Sequence, residues 1–387
     1  MKKIIIIFLL LLVCCFPLSS YGQLISMDFP VSMNYLFYDR PSMDIVDDTL
    51  FVCSTDGIYA RDMKSGSGWE SYAFKGLRIF DFVKNGDLIL GLGCKDSNET
   101  PTFIVLSVKG GNPEDVTPYE HQGQGRYKYY KAYSLAKNPD ATGTVLLGTD
   151  KGILISNDFG VSWEYTSCYP IFGDLLHFGI MFNPSDPSEV VCYGEQSDEM
   201  GAVFRLKNLE LVSTYEVPEI CQPILDFIFN TQDTRQRCYC GTETFGASED
   251  GGETWKEIKQ PRMSGTLVSK KSDEGTVYVI GCSPFNELVP TMLHIYQYKH
   301  QDGSWSHHYQ CGLPSGMTFI YDALFWGDDL ILLTDVGVYS ISDFNRIESP
   351  TVQSSPKGLV YDISGRSLSS VNHHGVIIQN GRKFVVR

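Results

Sequence analysis

Three aspartates stand alone inside apolar stretches: Asp81 in "RIFDFV", Asp226 in "PILDFIF" and Asp322 in "IYDALF". A carboxylate among apolar neighbours is either paired with donors or kept for chemistry. His177 in "LLHFGIMF" and Lys131 in "YYKAY" hold comparable places. A second group of acids falls where apolar stretches break into turn residues: Asp56, Asp150, Glu195, Glu243 and Asp335. If one acid of each group met another across a short gap, glycoside hydrolysis would be available. That reaction needs two carboxyls about 5–10 Å apart, one of them protonated. Asp226 with Glu243, and Asp322 with Asp335, are pairings the spacing permits. Both groups also have plainer uses. Asp beside Gly suits a tight hairpin turn, and an aspartate in an apolar strand can hydrogen-bond its neighbour strand.

The elements that must hold these residues are short strands, such as "LILGL", "TVLLGT", "GAVFRL", "TVYVIG" and "DLILLT", with turn signals between them. Helical periodicity is nearly absent, and Tyr and Phe are abundant, at 22 each, which suits an all-β chain. Four stretches align on a threonine, at Thr55, Thr149, Thr242 and Thr334, with gaps of 94, 93 and 92. Half of such a gap is roughly 46 residues, about one four-stranded propeller blade. Weaker copies are then expected near residues 102, 195 and 288, where "LILGLGCKD", "VVCYGEQSDEM" and "VYVIGCSPF" run into turns. The expectation is a seven-bladed β-propeller over residues 23–350. In such a ring Asp81, Asp226, Asp322, His177 and Lys131 fall on innermost strands at the channel mouth. The turn acids gather on the same face, with Asp56, Asp150, His177, Glu195 and Lys131 as binding candidates.

Two copies of one turn support this reading: "SNDFGVSW" (Ser156, Asp158, Gly160, Trp163) and "SEDGGETW" (Ser248, Asp250, Gly252, Trp255). Degenerate relatives are "KSGSGWES" and "KHQDGSWSHH". The pattern resembles the Asp-box of BNR-repeat propellers, a superfamily that includes sialidases, xyloglucan-cleaving hydrolases, sortilin and photosystem assembly factors. The resemblance implies that the box joins the third and fourth strands at the rim, away from any active site. Its aspartate then accepts backbone N–H bonds, its glycine takes a positive φ and its tryptophan is buried between blades. Sialidases of this superfamily write Arg-Ile-Pro near the first blade. Here Arg40 meets Pro41 directly, and the middle residue is missing.

The chain starts with two lysines, a short apolar run and small residues, the build of a secretory signal peptide over 1–22, with cleavage expected before Gln23. Cys14 follows Val13 and Cys15 follows a cysteine, which argues against a lipoprotein site. No later stretch is apolar enough to span a membrane. The whole chain carries −15. With Lys2 and Lys3 (+2) and residues 351–387 (+4) set aside, the remainder carries −21. Such a surface repels phosphates, so no nucleic-acid partner is expected. Cysteines inside apolar runs read as small hydrophobes. "CYC" at 238–240 lacks metal spacing, and no Cys/His cluster of zinc type appears, so neither metal nor cofactor is expected.

Residues 351–387 form a basic tail. "VYDISGRSL" (360–368) and "GVIIQNGRKFVVR" (375–387) resemble the end of the C-terminal sorting domain of the type IX (Por) secretion system of Bacteroidetes. The resemblance implies a small β-rich module and export through that machinery, to the medium or the outer cell surface. Taken together, the sequence points to an exported, non-catalytic propeller binding a glycan or a protein at its channel face. The alternatives are a hydrolase of a neutral polysaccharide and an assembly or scaffold factor.

Overall fold

The computed structural model describes residues 23–33, 35, 40–95, 102–109, 112–122, 126–129, 132–150, 152–168, 175–196, 200–217, 223–261, 263–270, 273, 275–283, 292–344, 360–362, 367–368, 375–379 and 382–386. Residues 1–22, where a leader is expected, and Lys131 lie outside them. Among the described residues there is no α-helix, and no helix is long and apolar enough to cross a membrane.

Seven four-stranded antiparallel sheets form the blades of a propeller. Blade 1 covers 43–73, blade 2 78–115, blade 3 132–165, blade 4 175–216, blade 5 224–259 and blade 6 264–312. Blade 7 takes its first three strands from 320–341 and its outermost from the other end of the chain: Leu24–Ser26 pairs with Tyr339–Ile341. That strand exchange closes the ring. In every blade the chain runs from the innermost strand outward. A two-stranded hairpin, Tyr119–Gln122 with Arg126–Tyr129, separates blades 2 and 3.

The cores lie between blades, because each twisted sheet buries both faces against its neighbours. Phe51, Ile58, Ile79 and Ile89 pack blade 1 on blade 2. Leu146, Ile153, Ile180 and Cys192 pack blade 3 on blade 4. Phe245, Val277, Val279 and Tyr298 join blades 5 and 6. The second strands are therefore almost continuously apolar: "VLLGT" and "RCYCG" are buried at every position. Cys53, Cys192, Cys238, Cys240 and Cys282 sit buried in these cores with free thiols.

The 93-residue repeat is a repeat of blade pairs. Blades 1, 3, 5 and 7 join their second and third strands by two residues, 55–56, 150–151, 242–243 and 335–336. Ser54, Thr149 and Thr334 each donate a side-chain hydroxyl to the carbonyl of Gly57, Gly152 or Gly337, at 2.7–2.8 Å. These glycines have φ of +106°, +133° and +131°, open to glycine at no steric cost. The alignment on Thr55 and Thr242 is thus one residue late: Ser54 and Gly241 are the true counterparts of Thr149 and Thr334. In blades 2, 4 and 6 the same connection spans 96–101, 197–200 and 284–291.

A compact unit apart, Glu348–Arg387, holds the tail. Its four strands lie in the order Ser367–Leu368, Val360–Asp362, Gly375–Gln379, Arg382–Val386.

Candidate functional site

The innermost strands converge on a central cavity of about 290 Å³. Five of them carry a β-bulge near their start, where the register skips Phe80, Tyr133, Leu176, Leu225 or Tyr321. The residue after each skip is Asp81, Ser134, His177, Asp226 or Asp322. A bulge re-aims the side chain that follows it, and the three aspartates here line the cavity. His177 shares this register position, opposite Glu195. In blade 3 the place belongs to Ser134.

Each aspartate clasps its own strand to the next blade. Asp81 accepts the N–H of Phe82 (2.9 Å), the N–H of Leu135 in blade 3 (2.7 Å) and the Ser42 hydroxyl (3.0 Å). Asp226 accepts Phe227 N–H (2.8 Å), and from blade 6 Leu267 N–H and the Thr266 hydroxyl, both at 2.7 Å. Asp322 accepts Ala323 N–H (2.7 Å) and, across the closure of the ring, Met43 N–H (2.9 Å). Burial inside the ring pushes Asp81 up to about 6, against the pull of these bonds. The same burial, aided by the nearby charge of Asp226, takes Asp322 to about 7.

Bulged residues leave carbonyls without ladder partners. Arg40, just before blade 1, answers two of them: its guanidinium donates to Leu225 O (2.9 Å) and Tyr321 O (2.7 Å), and also to Ile320 O (3.3 Å). Ser42 N–H answers Phe80 O at 2.9 Å. The arginine that sequence comparison sets against a substrate clamp is committed to backbone.

Tyr193 is one of the cavity residues that sequence reasoning missed. It belongs to the second strand of blade 4, opposite Gly179 on the innermost strand. A Cβ at Gly179 would lie 2.2 Å from the Tyr193 ring, so the glycine lets the ring extend over its strand into the cavity. Burial, together with the charges of Asp226, Asp81 and Asp322, holds the phenol well above its ordinary pKa, with Arg40 opposing. Its hydroxyl has no hydrogen-bond partner among the described residues. The signal was present: a lone glycine inside "LLHFGIMF" marks a close approach.

The remaining sequence candidates do not join this cavity. Asp335 is bound by Thr318, whose N–H reaches its two oxygens at 3.0 and 2.9 Å. Asp56 accepts the Tyr59 hydroxyl and Gly76 N–H, both at 2.9 Å. Glu195 is buried within blade 4. Asp150 and Glu243 occupy the two-residue turns of blades 3 and 5. None of these five is among the described residues that line the cavity, so neither Asp226 with Glu243 nor Asp322 with Asp335 shares it.

At the rim, the two signature turns join third to fourth strands in blades 3 and 5. Asp158 accepts Ser162 N–H (2.8 Å), the Ser162 hydroxyl (2.6 Å) and the Ser156 hydroxyl (2.8 Å). Asp250 does the same with Thr254 and Ser248, at 2.9, 2.6 and 2.9 Å. Gly160 and Gly252 have φ of +88° and +83°, and their N–H groups reach Ser156 and Ser248 hydroxyls. The Thr254 bonds lower Asp250 to about 2. Trp163 donates its indole N–H to Val116 O, just past blade 2, at 3.1 Å, and Trp69 of blade 1 donates to Met27 O beside blade 7 at 2.8 Å. Trp255 packs on Tyr215, Phe227 and Tyr239, but its buried indole N–H has no partner among the described residues.

One further constellation has the order of a nucleophile, base and orienting acid. His300 Nε2 lies 3.4 Å from Cys238 Sγ, and its Nδ1 lies 2.5 Å from Glu249 Oε1. Cys238 is fully buried, and burial first, then the Glu249 charge, pushes its thiol up. A sealed thiol is not a nucleophile.

No protein-family model matches the chain, and no curated protein is similar to it in sequence. Solved structures are similar in fold. A chain of the mitotic checkpoint complex superimposes with a TM-score of 0.57 at 9% identity, over 84% of this chain and 93% of that one. A chain of the BBS1N–ARL6DN complex gives 0.55 at 10% identity, over 86% and 98%. The extracellular domain of BT4673 from B. thetaiotaomicron gives 0.54 at 11% identity, over 83% of this chain and 40% of that one. At such identities the likeness is one of architecture, and with the seven sheets it establishes an all-β, seven-bladed propeller.

Proposed function

We propose that the protein is an exported Asp-box propeller that binds, without turnover, one unit of a neutral glycan at its channel face. The observation that carries this reading is the division of labour in the cavity. Its aspartates and Arg40 are engaged by backbone groups, while the Tyr193 hydroxyl points into the space without a partner among the described residues. A volume of about 290 Å³ sits at the small end of ligand pockets, which run from about 300 Å³ upward, and suits a single ring. Anionic sugars fit poorly beside three carboxylates in a body at −21. Export rests on the leader over 1–22 and on the tail, which we read as an address for type IX secretion.

A second reading, hydrolysis of a neutral polysaccharide, is favoured by one observation: Asp322, raised to about 7, holds a proton near neutral pH as a general acid must. One experiment separates the two. The full chain is titrated with a panel of neutral oligosaccharides, and reducing-sugar release is followed in the same samples. Saturable binding that weakens in Tyr193→Phe, with no release, supports the binding reading. Release that disappears in Asp322→Asn, in a variant that still folds, replaces it with the hydrolase. Neither binding nor release, with a protein captured instead, leaves the scaffold role.

A further inference from the structure

Blade 6 carries an imidazole pair that the channel reading does not use. Its third strand, Met292–Lys299, pairs with a long outer strand, Ser304–Gly312. The register shifts between Ile295 and Tyr296: Ile295 faces Tyr309, Tyr296 faces His307, and His308 is skipped. Residues directly opposite in an antiparallel pair share a face, as do residues two apart on one strand. The bulge therefore sets His307 on the face of Tyr296 and His294. Without it, His308 would stand there and His307 would face away. The consequence is visible in the contacts. His308 packs on the other face, against Tyr278 and Phe344, while His307 Nε2 comes to 3.1 Å from His294 Nδ1.

Two features make this more than a packed pair. The facing nitrogens are 3.1 Å apart. Two nitrogens bound to one metal at about 2.0–2.1 Å are separated by about 2.9 Å at a right angle and about 3.3 Å at a tetrahedral angle. The observed gap lies between these. Next, His307 donates a hydrogen bond to the backbone of Tyr309, the kind of second partner that orients a metal-ligating histidine. Both side chains keep partial access to solvent.

We propose that His294 and His307 form a two-imidazole site for a divalent first-row transition metal of the zinc or copper class, the remaining positions being filled by water. On binding, the proton between the rings leaves the facing nitrogen that holds it for the other nitrogen of the same ring, and both facing nitrogens turn lone pairs to the metal. Imidazole suits zinc, copper and nickel, whereas magnesium and calcium take oxygen ligands. The metal would cross-link the third and outer strands of blade 6, whose turn departs from the Ser-x-Asp-x-Gly pattern that secures blades 3 and 5.

The test uses the full chain with His373 and His374 of the tail replaced by alanine, so that this second pair cannot answer. Isothermal titration with Cu²⁺ and Zn²⁺ at pH 7.5 should show one equivalent bound, copper the tighter, and no heat with Mg²⁺. His294→Ala and His307→Ala should each weaken binding at least ~10-fold, and the metal should raise the melting temperature of the parent only. His294→Gln preserves size and polarity should the alanine variant not fold. Bound Cu²⁺ should show coupling to two imidazole nitrogens by electron paramagnetic resonance. Unchanged affinity in the His294 variants, coupling to a single nitrogen, or no saturable binding in the parent would overturn the assignment.

Discussion

In the channel, Asp81 accepts two backbone N–H groups and a serine hydroxyl; at the rim, Asp250 accepts one backbone N–H, a threonine hydroxyl and a serine hydroxyl. The donor sets are nearly the same, and the electrostatic outcomes are opposite. Asp81, and with it Asp322 on the last blade, are raised to about 6 and 7 because burial outweighs their bonds. Asp250 stands exposed, so its bonds act almost unopposed and lower it to about 2. Solvent access, more than hydrogen-bond count, decides the charge state. The same contrast should govern what each aspartate contributes to stability.

The largest effect is expected from removing a clasp. Asp226→Ala leaves Phe227 N–H, Leu267 N–H and the Thr266 hydroxyl buried without an acceptor. At about 1–3 kcal/mol for each buried donor left unsatisfied, the loss should reach about 3 kcal/mol or more. Asp250→Ala exposes its donors to water instead and should cost about 1 kcal/mol. Urea unfolding of the two variants measures both. Equal losses would mean that the channel clasp is as wet as the rim.

The pH dependence sharpens the contrast. A carboxyl raised in the folded state binds its proton more tightly there than in the unfolded chain, so its contribution falls as pH rises from about 4 through the folded value. For Asp322 that window ends near 7. Wild type should therefore exceed Asp322→Asn in melting temperature by more at pH 5 than at pH 8. For Asp250, lowered to about 2, the contribution is complete above about 4 and is lost on acidification towards 2. The margin over Asp250→Asn should be flat between pH 5 and 8. A margin for Asp322→Asn that does not move with pH would mean its carboxyl is already hydrated.

These features were unequally visible in the sequence. The blade pairs of the repeat could be read because blades 1, 3, 5 and 7 turn within two residues beside a hydroxyl or glycine. The longer connections of blades 2, 4 and 6 carry no such mark. The one-residue slip at Thr55 and Thr242 has no mark in the sequence, because a threonine follows Ser54 and Gly241 directly. Apolar flanks marked Asp81, Asp226 and Asp322, yet not their use: their acceptor roles depend on strands 54, 41 and 279 residues away. The pairing of Tyr193 with Gly179 depends on register between strands, and the meeting of His294 with His307 on a bulge. Neither has a local signature beyond a glycine in one case and a His-His dipeptide in the other.

Within the rim the two signature turns differ in one bond, which gives a smaller effect. Trp163 has a carbonyl partner in Val116, and Trp255 has none among the described residues. Replacing each by phenylalanine removes a similar packed area. Trp163→Phe also loses a hydrogen bond, worth about 1 kcal/mol, and orphans a carbonyl, whereas Trp255→Phe discards a donor already unsatisfied. Thermal or chemical denaturation should place Trp163→Phe lower by about that amount. The reverse order would imply that water satisfies Trp255.

The smallest effect on stability is expected where the reading of function is strongest. Tyr193→Phe keeps the ring over Gly179 and removes only a hydroxyl without a hydrogen-bond partner among the described residues, so unfolding should shift by no more than about 0.5 kcal/mol. Asp226→Ala, on the next blade and in the same cavity, should damage the fold and tell little about the ligand. A hydroxyl that costs nothing to remove from the free protein, yet weakens glycan binding when removed, is a group held for a partner. Loss of stability on the scale of the clasps would instead make Tyr193 one more brace of the ring and return the cavity to architecture.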